Sequence, residues 1–405
     1  MNDATEAFDR HLIRYGMNFV PRLIARARGT LLWDTDGREI LDFTSGQMCA
    51  TIGHNHPRIL EAIARACEGA LHLYSGMVGP AVVELARRLA GMLPPELSRS
   101  MFLSTGGEAN EAALRMAKLH TGGFEVVGLT GSWHGVTAGA AASTYTGGAR
   151  KGFGPGMPGA MAIPAPNAYR CPIRHCTGTC DTTCMDVGFE MVDAQSSGAG
   201  AAVIAEPVLS TAGMIVPPPG YFPKLKRKAE ERGMMLILDE AQTAFGRLGT
   251  NFAFERLGIT PDFLTLSKSL GAGLAPAAVV TSDTIEADCH AKGFVHVTSH
   301  VADPLPAKVG LAMIGVMEDR AFVGMGATML DGAIIEEGGM LTAGALLTPG
   351  KRIGPNELWS SSPAKLWRVM DAAESAKFAR TAEHYVELGQ RFRATSPARE
   401  DSASF

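Results

Sequence analysis

LILDEAQTAFGRLGT at residues 236–250 and PDFLTLSKSLGAG at residues 261–273 decide how this chain is read. Each contains an unbroken apolar run that closes on one ionisable side chain, Asp239 in the first and Lys268 in the second. Unbroken rather than alternating hydrophobicity marks strands buried on both faces, the habit of a parallel sheet flanked by helices. The same form recurs in MFLSTG (101–106), EVVGLT (125–130), AAVIAEP (201–207) and AAVVTS (277–282). The pattern predicts an α/β fold with a mostly parallel central sheet. Binding groups in such sheets gather just past the strand ends. Here those ends hold Thr105, Gly106, Gly107, Glu206, Asp239, Gln242 and Lys268.

Three of these positions carry chemistry. A buried carboxylate is costly without a cation, so Asp239 calls for a partner: a side chain such as Arg247, or a protonated ring nitrogen of a ligand. Lys268, flanked by serines and followed by a glycine turn, is an amine placed to form a Schiff base with a carbonyl. Alone it would read as a solvated strand end. TGGEANEAALRMAKLHTG (105–122) sets Gly106 and Gly107 at the start of a strong helix. Backbone amides approached closely there make a phosphate cradle, although a glycine pair also serves plain turns.

The chain has 405 residues, 37 Lys and Arg against 41 Asp and Glu, and a net charge of −4, which argues against binding to a nucleic-acid backbone. Hydrophobic residues make up 46% and charged residues 19%, a composition that excludes disorder over most of the length. The segment MNDATEAFDR lacks the features of a secretory signal, Asn2 excludes myristoylation, and no apolar run approaches ~18 residues. The expectation is a soluble cytoplasmic protein with no membrane or nucleic-acid partner. Seven cysteines then read as reduced thiols or ligands. Cys171, Cys176, Cys180 and Cys184 cluster in CPIRHCTGTCDTTC, whose spacing departs from paired zinc motifs. The segment is read either as a metal site or as a reduced surface loop.

Taken together, the stretch from Asp239 to Gly273 resembles the signature of the class III (subgroup II) pyridoxal-phosphate-dependent aminotransferases, a likeness covering roughly residues 10–320. Within that family the chain is most similar to the 2,2-dialkylglycine decarboxylases, through FTSGQM (43–48), GHNHP (53–57), LYSGM (73–77), GSWHG (131–135) and TSHVADPLP (298–306). The resemblance implies a fold-type I transferase with residues 1–45 belonging to a small domain and 46–320 forming the domain that binds pyridoxal 5'-phosphate. It implies that Lys268 attaches the cofactor, Asp239 pairs with the ring nitrogen, Gln242 bonds the ring oxygen, and Trp133 stacks on the ring beside His134. Thr105, Gly106 and Gly107 would hold the phosphate, Glu206 would lie in the substrate pocket, and Ser299 would serve the partner subunit of a homodimer. Gln47 would hold the carboxylate to be lost. Leu73, Ser75, Ser299, Val301 and Asp303 match an alkali-cation site that would take potassium. Substrates would be small amino acids and a 2-oxo acid acceptor such as pyruvate.

Beyond about residue 320 the likeness stops, at EDRAFV. Family members continue there with an αβ segment that closes the small domain and supplies a substrate-binding Arg. Here Val323, Met329, Ile335, Leu341, Leu347, Ile353 and Trp359 instead recur every six residues. That period predicts a short left-handed β-helix over 323–360 with an open edge. The stretch is similar to the end of γ-class carbonic anhydrase-like proteins, but it has no His from 323 to 383. Helical spacing across 365–392 predicts a terminal helix within 361–405. Three readings stay open: a decarboxylating transaminase, an ordinary aminotransferase, and a silent fusion that only binds cofactor.

Overall fold

Apolar side chains on both faces determine how the central strands stack. The computed structural model describes residues 10–16 and 18–318, Glu374, and most positions within 322–371. The chain divides into two units, Met1–Ile314 and Gly315–Phe405. The first opens with an antiparallel meander of β1 (Ile24–Arg28), β2 (Leu31–Asp34) and β3 (Glu39–Leu41). There follow α1 (Pro57–Cys67), α2 (Pro80–Met92), β4 (Arg99–Leu103), α3 (Gly106–Thr121), β5 (Glu125–Leu129), β6 (Ala160–Ile163) and α4 (Thr183–Gln195). Next come β7 (Gly200–Ala205), α5 (Tyr221–Glu230), β8 (Met235–Asp239), β9 (Phe263–Leu266), β10 (Ala277–Thr281), α6 (Asp283–Ala291) and α7 (Pro304–Glu318).

Seven strands form one sheet in the order β4-β10-β9-β8-β7-β5-β6. Strands β9, β8, β7, β5 and β6 pair in parallel, and β10 runs antiparallel to both its neighbours. Every apolar run quoted from the sequence is one of these strands. The seventh, β6, is the short AMAI run, whose four residues after a Gly- and Pro-rich stretch are too few to stand out as a strand. All residues of β5, β9 and β10 are buried. This is the mostly parallel central sheet of an α/β fold that the apolar runs predict.

Helix α3 is fixed at both ends. Thr105 and Glu108 form a capping box at its start, and Gly122, at φ 75°, closes it with a bond to the Lys118 carbonyl. Its inner face is mostly alanine, which lets the helix lie close over Leu103, Ile204, Ile237 and Phe263.

In the second unit, six two-residue strands, β11 to β16, recur every six residues from Phe322–Val323 to Arg352–Ile353, and the next, β17 (Glu357–Ser360), is longer. Each pairs in parallel with the strand eighteen residues on, Phe322 with Met340, Thr328 with Leu346, Ile334 with Arg352 and Met340 with Leu358. Leu341, Leu347 and Ile353 are fully buried, with Ile335 and Trp359 packed against them. The terminal-helix expectation fails at its first residues. Lys365–Val369 is a strand, β18, antiparallel to β17, reached through a turn in which Ser361 adopts φ 86°. Leu366 and Val369 are exposed while Met370 is buried with Met340 and Leu358, so the residues spaced as for a helix do not share one buried face. Backbone pairing with the open edge of β17 decides the outcome instead. Residues 372–373 and 375–392 of that expected helix, and the tail to 405, lie outside the described residues.

Leu347→Ala removes a fully buried side chain from the coil and should cost the second unit about 2–5 kcal/mol. Amide exchange of the strands around Leu341 and Ile353 should accelerate, while that of β7 to β9 stays unchanged. Equal acceleration in both sets would contradict separate units.

Candidate active site

The carboxyl ends of β4, β7, β8 and β9 bring the ionisable groups of the first unit together. Past β4, the Thr105 hydroxyl accepts from the Glu108 amide at 3.3 Å, while Glu108 Oε2 accepts from the Ser104 and Thr105 amides at 3.0 Å. This leaves the Gly106 and Gly107 amides without an acceptor among the described residues. A β-carbon on Gly135 would stand 2.6 Å from the Gly107 Cα, so this backbone contact tolerates no side chain. A β-carbon on Gly106 would touch Ala241 and Ser267, which places the amide pair beside both the aspartate and the lysine turns.

Asp239 ends β8 and is 95% buried, as its 5% exposure shows. Asn110 Nδ2 donates to its Oδ2 at 2.8 Å, His134 Nδ1 donates to the same oxygen at 2.9 Å, and the Ala241 amide donates to Oδ1 at 3.0 Å. Burial pushes this carboxyl up, but the His134 contact and the Lys268 charge outweigh it and hold Asp239 below the ordinary aspartate value. Arg247, the sequence candidate for its partner, instead donates to the Met48 carbonyl at 2.8 Å. Asn110 is itself fixed, accepting from Thr265 Oγ1 at 2.7 Å and donating to the His134 carbonyl at 2.8 Å. Neither Asn110 nor Thr265 was singled out in the sequence. A buried Asn in an alanine-rich helix was the available signal.

Glu206 follows β7 and is 6% exposed. Its Oε1 accepts from the Trp133 amide at 2.8 Å, and burial raises it to about 7. The carboxylate therefore positions the backbone of the half-exposed Trp133. Glu240 is fully buried and also raised to about 7 by burial. It accepts from the Ala253 and Phe254 amides at 2.7 and 2.8 Å and so pins the loop after β8.

Lys268 opens a short 3-10 turn at φ 45°, a left-handed conformation that costs a non-glycine residue about 1 kcal/mol or more. Its amine has no hydrogen-bond partner among the described residues and acts electrostatically on both Asp239 and Cys49. Behind it, a β-carbon on Gly271 would lie 2.3 Å from Pro276 Cδ, which explains a glycine in this turn.

Ser45, Gln47 and Met48 have φ of 50°, 54° and 64°, and Gly46 has φ 49°. This left-handed turn lies against the Lys268–Gly271 turn. Asp42 secures it, accepting from the Thr44 amide and hydroxyl at 2.7 and 2.5 Å, from the Gly46 amide at 3.1 Å and from His54 Nε2 at 2.7 Å. The Thr44 and His54 contacts hold Asp42 far below the usual carboxylate range. Gln47 is exposed at the tip. Gln242 is half-buried and has no hydrogen-bond partner among the described residues.

Ser299 is exposed, and Leu73 and Val301 are half-buried. Ser75 Oγ donates to the Thr298 carbonyl at 3.1 Å, and both oxygens of Asp303 are taken by imidazoles. Cys180 and Cys184 are buried, and Cys171 and Cys176 are half-buried. The Cys176 amide, opposed by burial, lowers the Cys171 thiol to about 7, whereas burial raises Cys176 to about 11 and Cys184 to about 12. No three of these sulfurs come within 4.8 Å of one another, and His175 pairs with Asp181 at 2.8 Å.

A partnerless lysine amine, an ionised buried aspartate and a pair of free amides at a helix start define a pyridoxal-phosphate-dependent enzyme on this fold. The model for "Aminotransferase class-III" matches residues 14–332, and the chain belongs to that family. It is 51% identical over 311 residues to an uncharacterised aminotransferase of Schizosaccharomyces pombe, covering 76% of this chain and 69% of that protein. It is 30% identical over 308 residues to a leucine/methionine racemase of Thermococcus litoralis, covering 75% and 69%. Among solved structures, an (S)-enantioselective omega-transaminase from Thermomicrobium roseum aligns with TM-score 0.71 and 28% identity, over 78% of this chain and 74% of that one. A PLP-bound amine transaminase from an uncultivated Pseudomonas species aligns with TM-score 0.70 and 28% identity, over 76% and 74%. Among the described residues, no helix is long and apolar enough to cross a membrane.

Glu206 gives a pH signature. Its folded value near 7 exceeds the ordinary 4.5, so the native state keeps a proton that the unfolded chain releases. Stability from this group is full at low pH and is lost as pH rises from about 4.5 to above 7. Glu206→Gln should remove a pH-dependent loss of about 3 kcal/mol, leaving the similar one at Glu240. Urea midpoints of both proteins at pH 5 and pH 8 measure it, and parallel changes would refute the assignment.

Proposed function

We propose that this chain is a decarboxylating transaminase of 2,2-dialkylglycines, with a 2-oxo acid as amino acceptor. The observation that carries the cofactor part is the Lys268 amine, partnerless and attracted by the buried ionised Asp239, beside the acceptor-free amides of Gly106 and Gly107. The residues fit pyridoxal phosphate: the amides would hold the phosphate, Asp239 would face the ring nitrogen and favour its protonated form, and Lys268 would be the point of covalent attachment. His134 Nε2 and Ser269 Oγ are buried without partners, leaving unused polar capacity in the same region. The bound cofactor supplies an electron sink for the pair left at the substrate α-carbon when a bond there breaks.

The chain's own groups then determine which bond breaks. The bond aligned with the sink is the one weakened, so whatever holds a substrate group in that orientation selects the reaction. Gln47, fixed in its left-handed turn by Asp42 and Arg247, offers a neutral amide that can donate to a carboxylate. Trp133, positioned through its backbone by Glu206, supplies an apolar surface for the ring. The Lys268 amine would be the group that supplies a proton to the substrate α-carbon. In the same reading the unit of function is a homodimer with Ser299 serving the partner's phosphate, and residues 323–360 form an appended coil with no catalytic part.

The overall reaction of 2-aminoisobutyrate and pyruvate yields acetone, carbon dioxide and alanine. Wild-type protein should release carbon dioxide in step with alanine. Gln47→Ala should lower that rate about 10- to 100-fold while retaining the visible absorbance of the bound cofactor. Alanine formation from other amino donors, with no carbon dioxide from 2-aminoisobutyrate, would establish ordinary transamination in its place. After borohydride reduction, mass spectrometry should find a pyridoxyl adduct on Lys268 and none in Lys268→Ala. An unmodified Lys268 in wild type would overturn the cofactor assignment.

A further inference from the structure

A second constellation lies outside the groups just described. His72, in the loop between α1 and α2, and His300, just before α7, both turn their Nδ1 atoms to Asp303, each 2.7 Å from a different carboxylate oxygen. The three residues come from segments 231 positions apart, so only the folded chain assembles them. One ligand atom from each lies within 4.8 Å of the others, and among the described residues this is the only set of three His, Cys, Asp or Glu so arranged. The imidazole rings stand 5.1 Å apart at 54° to one another.

We propose that His72, His300 and Asp303 form a binding site for a divalent transition cation of the zinc, cobalt and nickel type. Two imidazole nitrogens and one carboxylate oxygen are the donors such ions prefer, whereas an alkali cation requires oxygen ligands throughout. Atoms bound around one such ion stand about 3 Å apart, since each metal–ligand bond is about 2 Å. The two pairs at 2.7 Å are already near that spacing. The two Nδ1 hydrogens move to Nε2 on binding. That exchange carries little desolvation cost, because the two side chains are 52% and 65% exposed, while that of Asp303 is only 9% exposed.

The surroundings hold the donors in place. Ser75 Oγ donates to the Thr298 carbonyl, the His300 amide donates to Thr298 Oγ1 at 3.3 Å, and the Ala302 amide donates to the Phe102 carbonyl at 3.0 Å. The last bond ties the site to β4, whose end carries the Gly106 and Gly107 amides. A cavity of about 230 Å³ lined by Phe102, Ser104, Pro276, His300 and Asp303 adjoins it and leaves room for water to complete the coordination. The ion would join the α1–α2 loop, the start of α7 and β4, and so stabilise the native state by mass action.

Cobalt(II) titration of the cofactor-loaded protein tests this. One ion per chain should bind, with visible d–d bands, no thiolate charge-transfer band and a rise in Tm, and excess potassium should not displace it. His72→Ala and His300→Ala, made separately, should each weaken binding at least tenfold while the absorbance of bound cofactor confirms folding. Unchanged cobalt affinity in both variants overturns the site. A thiolate band that disappears on replacing Cys171, Cys176, Cys180 and Cys184 by Ser, with affinity insensitive to the histidines, overturns it in favour of the cysteine segment. Retained cofactor absorbance separates either failure from a failure of the Lys268 assignment.

Discussion

The first unit is organised around a negative charge held inside protein. Asp239 ends a fully apolar run, where an ionised carboxylate without partners would be costly by several kcal/mol. Three donors, from Asn110, His134 and the Ala241 amide, make the ionised form the favoured one. Each donor is held in turn. Asn110 is locked by Thr265 on the neighbouring strand, and the His134 amide donates to Thr144 Oγ1 at 2.9 Å. The charge therefore exists because the sheet, α3 and the loop after β5 meet at one point, and Lys268 lies within its field.

The same environment sorts carboxyl groups by their hydrogen-bond partners. Glu206 and Asp239 are comparably buried, yet Glu206 is raised to about 7 while Asp239 is lowered. Burial dominates at Glu206, and the Asp239 charge adds to it, whereas Asp239 receives an imidazole contact and the attraction of Lys268. A single negative charge thus stays where a cationic ring nitrogen would meet it. Glu206 and Glu240 act mainly as acceptors for backbone amides and hold the loops that carry Trp133 and close over the end of β8.

The second unit follows a different rule. Its two-residue strands are too short to stand alone, and each depends on parallel pairing with the strand eighteen residues away. One apolar residue per six is enough to fill the interior, as the full burial of Leu341, Leu347 and Ile353 shows. Strand β18 covers one edge of this coil, which would otherwise present unpaired amides and carbonyls.

Legibility from sequence followed the range of the interaction. Buried strands were visible because continuous apolar runs follow from burial on both faces, and β6 was missed because its apolar run is only four residues long and is closed at once by Pro164. Asp239, Lys268 and the Gly106–Gly107 pair were visible because strand-end polarity and paired glycines are local features. The hexad spacing was visible for the same reason, since each inward side chain recurs at fixed separation. Lys365–Val369 was misread as helix because its partner, β17, exerts its pull through backbone pairing that side-chain spacing does not encode. The partner for Asp239 was sought in Arg247, close along the chain, whereas the structure brings the His134 imidazole, more than a hundred residues away, to 2.9 Å. Only the tertiary structure chose between them, because which donor reaches a buried oxygen depends on where distant loops cross the sheet, and it gathered His72, His300 and Asp303 for the same reason.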